Sequence, residues 1–171
     1  MSTDQNQRSL HDILQSIVFL SCFSFEEFKA IASLGEEKHF PEGSYLMIEN
    51  EPSRGMHVIL DGVVSVLKKS PESDDLQRIA TLDLGHSIGE MSLFENAPRT
   101  ATILAESQTR TFFLDAERFL PYLQSLGWES QANFYKTCAL ELAGRFRMLN
   151  RDHVLTQQLL WKHALRRSED D

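Results

Sequence analysis

The chain has 171 residues, 42% hydrophobic and 25% charged, with a formal net charge of −8. That length and composition suit one globular domain with a helical extension and exclude a disordered or membrane-type chain. So acidic a surface repels a phosphate backbone and disfavours broad nucleic-acid binding, although one local pocket can still hold a small anion.

From the N-terminus, Met1 to Gln7 is polar and lacks a basic region followed by a long apolar run. The apolar stretch Ile17 to Leu20 is too short for a signal peptide or a membrane span, so a cytoplasmic protein without a membrane partner is expected. Residues 9–34 read as helical, with Leu10, Ile13, Leu14, Ile17 and Val18 at three- and four-residue spacing. Ser24 and Glu27 form a capping box for a second helix, and Gly35 is its expected stop.

From Glu36 the pattern changes to short β-branched and aromatic runs: Tyr45–Glu49, Met56–Leu60, Val63–Lys68, Leu76–Leu82, Thr100–Glu106 and Thr109–Leu114. Turn residues punctuate them. Asp61-Gly62 predicts a tight hairpin, and the polar Ser70 to Asp75 predicts an exposed hairpin tip. Strands this short and this frequent predict a closed barrel or jelly roll.

After Leu114 the pattern is helical again. Asp115 is a cap for a helix carrying Phe119, Leu120 and Leu123, in which Pro121 predicts a kink or a short first turn. Beyond a break at Gly127, a long helix is predicted over about 130–151, with a further helical segment over 154–165. Tyr135, Ala139, Leu142, Phe146 and Leu149 alternate spacings of four and three, an apolar seam that either pairs two copies or packs on the chain's own barrel. Arg145, Arg147 and Arg151 read as a solvated face or as a site for an anionic partner. The acidic end, 168–171, is expected to be disordered. The expected divisions are a helical segment over 1–34, a β-domain over 35–125, lid or dimerisation helices over 126–167, and the tail.

Cys22 and Cys138 are far apart in sequence and form no Cys-x-x-Cys pair, which suits reduced thiols. His11, His39, His57, His86, His153 and His163 form no close cluster, so no metal site is expected. No spacing suggests a nucleophilic triad, and the chain is expected not to be an enzyme; a metal-dependent barrel oxygenase or isomerase is the competing class.

The chemistry concentrates in Gly89-Glu90-Met91-Ser92-Leu93, followed after four residues by Pro98-Arg99-Thr100-Ala101-Thr102. Gly89 lets a backbone approach a ligand closely. Residues 90–94 suit one short helical turn whose first amides are free to meet an anion. Arg99, just before a strand, offers a planar fork for phosphate oxygens, and Glu90 an acceptor pair for a sugar hydroxyl. Together they describe a site for a singly charged sugar phosphate.

This segment resembles the phosphate-binding cassette of cyclic-nucleotide-binding domains. Phe40-Pro41-Glu42-Gly43, Glu49-Asn50-Glu51-Pro52, the Met56–Val66 run through Asp61-Gly62, and Gly85 with Ile88-Gly89-Glu90 extend the resemblance over roughly 12–125. It implies an α+β fold: N-terminal helices, an eight-stranded antiparallel β-barrel or jelly roll with a short phosphate-binding helix, then C-terminal helices. It implies cAMP or cGMP as ligand, cAMP favoured. Arg99 would bind the cyclic phosphate and Glu90 the ribose 2′-hydroxyl, with backbone amides around Gly89, Met91 and Ser92 completing the cradle. Val66, Ile79, Ala80 and Ile88 would line the wall, and Thr100 follows the arginine without settling the base. Arg147, Leu149, Asn150 and Arg151 would be candidates to cap the purine from a lid helix.

His86-Ser87 departs from the family's usual acidic or aromatic residue, altering the rim without removing a phosphate ligand. Only about twenty residues follow Arg151, too few for a winged helix, so no DNA contact is expected and a protein effector in trans is. A homodimer through the C-terminal helix remains open, as does a ligand-free scaffold in which Arg99 and Glu90 merely pair with each other.

Overall fold

The computed structural model describes residues 10–18, 20–70, 73, 75–93 and 97–167, and beyond residue 151 the helical backbone alone. The expected tail, 168–171, lies outside the described residues. Two helices, α1 (Leu10–Gln15) and α2 (Phe25–Leu34), lead into strands β1 (Glu36–Phe40), β2 (Tyr45–Met47), β3 (Gly55–Asp61), β4 (Val64–Lys69), β5 (Leu76–Leu82) and β6 (Ser87–Ile88). A single 3-10 turn follows over Glu90–Leu93, then β7 (Thr102–Ala105), β8 (Thr109–Asp115), α3 (Ala116–Ser125) and α4 (Trp128–Arg167). The eight strands form two four-stranded antiparallel sheets, in the orders β1-β8-β3-β6 and β2-β7-β4-β5. The expected α+β architecture, helices flanking an antiparallel jelly roll, is the one observed.

β3 shows why. Its residues Gly55 to Leu60 are all buried, because both of its faces are covered. Met56, Val58 and Leu60 join α1, α2 and α3 in one cluster with Leu14, Phe28, Phe112 and Phe119. Ile59 turns the other way, into a smaller cluster with Met47, Val64, Ile88 and Ile103 from both sheets. The alternation that a strand imposes thus divides the interior into a helix-facing core and a core between the sheets. β1 and β6 escape sequence reading for the opposite reason. Glu36–Phe40 is an edge strand with mostly polar side chains, and Ser87–Ile88 is two residues long.

Asp61-Gly62 does not close a hairpin. β3 and β4 lie in different sheets, and the pair carries the chain across the corner between them. Gly62 has φ +93°, and a Cβ there would come within 2.6 Å of the Thr109 hydroxyl and 2.7 Å of the Gln108 carbonyl. The corner is tied by the Val63 amide donating to the Ser107 hydroxyl and the Glu106 amide donating to the Val63 carbonyl. The β4–β5 hairpin is real, closed by the Ser70 amide on the Asp75 carbonyl at 3.0 Å; Pro71, Glu72 and Asp74 at its tip lie outside the described residues.

The capping box forms: the Ser24 hydroxyl accepts from the Glu27 amide, and Glu27 Oε2 accepts from the Ser24 amide at 2.8 Å. Glu27 Oε1 also accepts from the Ser130 hydroxyl, which fastens the first turn of α4 to α2. These bonds hold the Glu27 carboxyl below its ordinary pKa. Asp115 caps α3 as expected, and Pro121 sits inside that helix.

α4 is one helix of 40 residues where two segments are predicted. It docks through Phe134 and Cys138, both buried, and Phe134 stacks with Phe23 at 5.7 Å and meets Phe119 at 5.4 Å. Cys22 packs against the core that holds Cys138, so two thiols distant in sequence share one apolar region, which pushes the Cys138 thiol up to about 12. The seam residues Tyr135, Leu142 and Phe146 are 48%, 41% and 64% exposed. These three side chains therefore stand largely in solvent instead of packing on the barrel. No helix among the described residues is long and apolar enough to cross a membrane.

His57 on β3 is buried between Phe40 and Phe113 and shares a 2.9 Å hydrogen bond with the Thr111 hydroxyl. Burial first, then the charges of Arg99 and Lys38, push its pKa down to about 3. The unfolded imidazole protonates below about pH 6.5 while the folded one stays neutral. Unfolding therefore takes up a proton between pH 6.5 and 3, and stability falls as the pH falls through that window, by at most about 5 kcal/mol at its lower end. Urea unfolding of wild type and His57→Gln at stepped pH should show a shallower fall for the variant; equal slopes contradict this account of His57.

Candidate functional site

One cavity, of about 220 Å³, collects most of the sequence-predicted residues. Val66, Ile88, Gly89, Glu90, Met91, Arg99 and Thr100 all line it. Its apolar wall comes from the core between the sheets, through Ile88, Ile103 and Met47 with Val66 and Leu82. Its polar side comes from residues 87–91, which run from β6 into the 3-10 turn, and from the irregular segment 97–101, which the strands deliver to the same place.

Gly89 has φ +76°, which other residues rarely adopt. A Cβ at this position would come within 2.3 Å of Arg99 Nη1 and 2.9 Å of Met47 Cε. The missing side chain is thus the space that Arg99 occupies. Arg99 Nη1 donates to the Gly89 carbonyl at 3.3 Å, a long contact that orients the guanidinium toward the cavity without saturating it.

The backbone of Arg99 is held more firmly than its head. Its amide donates to the Glu51 carbonyl and its carbonyl accepts from the Asn50 amide, both at 2.9 Å, and Asn50 itself has φ 69°. Arg99 is half-buried, and this burial lowers its pKa; the Glu51 and Glu90 carboxylates nearby pull the other way and do not cancel it. The environment therefore disfavours the cation relative to water. An arriving anion relieves that deficit, because its charge interacts with the guanidinium in a setting where water screens less.

Glu90 opens the 3-10 turn, as the expected short helix would require, and Met91 beside it is 37% exposed at the cavity. The side chain of Ser92 lies outside the described residues. Ile79 and Ala80 are not in the cavity lining. β5 is an edge strand, no strand among the described residues pairs with its far side, and Ile79 falls at the bulge opposite Val66 and Leu67, where it is 61% exposed. Leu82 is the β5 residue that reaches the wall. Arg147, Asn150 and Arg151 are exposed on α4 and also absent from the lining, and the side chain of Leu149 lies outside the described residues.

Met47, Leu82, Ala101 and Ile103 are lining residues that sequence reading does not single out. The alternation Arg99, Ala101, Ile103 carries a period-2 signal that could have found two of them. Among the described residues, no three His, Cys, Asp or Glu side chains come together as a metal site would need.

Comparison with known proteins agrees with this geometry. The family described as "Cyclic nucleotide-binding domain" matches residues 37–125. A cAMP-dependent protein kinase regulatory subunit of Mucor circinelloides f. lusitanicus is 26% identical over 118 residues, which are 69% of this chain and 27% of that protein. The chain thus spans about a quarter of that relative's length. A cyclic nucleotide-binding domain from Methylobacillus flagellatus KT superposes with a TM-score of 0.68 at 26% identity, covering 81% of this chain and 80% of that one. The N-terminal domain of a transcriptional regulator from Streptomyces coelicolor A3(2) shares the fold, with a TM-score of 0.70 at 24% identity over 78% and 94% of the two chains. With the family's match extending over more than half its length and the cassette residues gathered around one cavity, this chain belongs to the cyclic nucleotide-binding domain family.

Proposed function

We propose that the chain is a regulatory module, not an enzyme, that binds one cyclic nucleotide, cAMP in preference to cGMP, and signals to a protein partner through α4. The observation that carries this reading is the half-buried Arg99 guanidinium, fitted into the space left by Gly89 and undercompensated by its own carboxylates. A cyclic phosphate bears one negative charge and two free oxygens, which suits one planar fork. Glu90 would take the ribose hydroxyl, with amides at residues 89–92 meeting the phosphate. The apolar wall of Val66, Leu82, Ile88 and Ile103 suits a sugar and a base. The kinase regulatory relative, named for cAMP, supports that base over guanine; Thr100 at the cavity could serve either.

Signalling follows from α4. Arg147 and Asn150 do not line the cavity, so capping of the base by either requires the helix to move. Nucleotide can shift α4 only by binding one of its positions more tightly than the other. The exposed seam of Tyr135, Leu142 and Phe146 is the surface through which such a shift would be read, by an effector or by a second copy. The net charge of −8 favours a protein over DNA as that partner.

Isothermal titration with cAMP and then cGMP tests the reading. One saturable site is expected, with cAMP the tighter; no heat with either nucleotide overturns it and leaves a ligand-free scaffold. Arg99→Ala should weaken binding at least a hundredfold, the order expected for losing a charged hydrogen-bonding partner of a phosphate. Gly89→Ala should weaken it by about tenfold or more, because the added methyl displaces Arg99 from its place. Parental affinity in either variant places the ligand elsewhere.

A further inference from the structure

Lys68 lies at the end of β4 and does not line the cavity, yet it touches the segment that carries Arg99. Its Nζ sits 2.6 Å from Glu49 Oε1 and donates to the Thr100 carbonyl, also at 2.6 Å. Glu49 is tied in turn. Its Oε2 accepts from the Lys69 amide at 3.4 Å, and its own amide donates to the Thr102 hydroxyl at 3.0 Å. One residue further, Asn50 and Glu51 hold the Arg99 backbone on both sides. Two irregular stretches, 49–51 and 97–101, are thus cross-tied, and the Lys68 side chain bridges them.

We propose that Lys68 and Glu49 form a bracket that positions Arg99 for its anion, with Lys68 a positioning residue outside the binding site. Residues 97–101 have no helix or strand of their own, and the guanidinium's tether to the Gly89 carbonyl is long, so its placement rests on the backbone. The lysine side chain is 47% exposed and that of Glu49 12%. With its lysine this open to water, the pair is screened and adds little to global stability, so its effect falls on local position rather than on folding. Lys68 also holds the Glu49 carboxyl below its ordinary pKa. A charge on the rim would act differently. A distant lysine attracts an anion through its field alone, and a nearby glutamate then repels it.

The test rests on the proposed nucleotide reading for affinity and is independent of it for geometry. cAMP titration of Lys68→Met should show affinity about tenfold weaker, with the ligand-free melting temperature within about 2 °C of wild type, and Lys68→Arg should restore most of the loss. Glu49→Ala should also weaken binding, although it removes a negative charge. Tighter binding by Glu49→Ala would overturn the bracket in favour of a simple field effect, and unchanged binding by Lys68→Met would overturn it outright. Amide exchange in the ligand-free protein supplies the second readout: Asn50 and Arg99 should exchange faster in Lys68→Met. If wild type binds no cyclic nucleotide, the functional reading fails, and this exchange measurement alone decides the bracket, with unchanged rates refuting it.

Discussion

A guanidinium half withdrawn from water is the constraint around which this molecule is arranged. Arg99 loses hydration and gains only partial compensation from Glu51 and Glu90. Such a group persists in a fold when its backbone is held so that the side chain has no better place to go. Here the hold comes from paired amides and carbonyls at Asn50 and Glu51, and the room comes from the absent side chain at Gly89. The site is therefore made of backbone geometry first and side-chain chemistry second.

The sheets exist, for this purpose, to bring remote segments to one place. β3 gives Met56, Val58 and Leu60 to the helical core and Ile59 to the cluster whose Met47, Ile88 and Ile103 line the cavity, so the two cores share a strand. α4 docks through Phe134 and Cys138 and exposes Tyr135, Leu142 and Phe146 of its apolar seam. Among the described residues, α4 meets the body through the packed layer of Phe23, Phe119 and Phe134 and through the Glu27–Ser130 contact at the helix's start, and Glu141 shares a pocket with Leu82 and Ser87 of the cavity wall. Cores of this kind move as units because they are close-packed.

The sequence is legible where a residue's role is local. Ser24 with Glu27, Asp115 and the β4–β5 hairpin behave as their types dictate. The cassette residues Gly89, Glu90, Arg99 and Thr100 gather as the motif implies. It misleads where the outcome depends on which sheet a strand joins. Asp61-Gly62 has hairpin composition, but a positive φ serves a sheet-to-sheet corner equally well. Ile79 and Ala80 carry the β pattern of wall residues, yet an edge position leaves them in solvent. The seam of α4 reads as a packing face, while the residues that do pack, Phe134 and Cys138, lie one position before it. Lys68 has no local signal at all, since its partners are 19 and 32 residues away.

Thermal unfolding of wild type and Arg99→Met, each with and without saturating cAMP, tests the central claim most directly. Met keeps the apolar stem and removes the charge. If Arg99 is held ready for an anion at a cost to the empty protein, the ligand-free variant melts no lower than wild type. cAMP then raises the wild-type midpoint by several degrees, as about 2.7 kcal/mol at a hundredfold excess over Kd requires, and leaves the variant unmoved. A variant that melts well below wild type without ligand, beside a wild type that cAMP does not stabilise, would make Arg99 a structural ion and contradict the account.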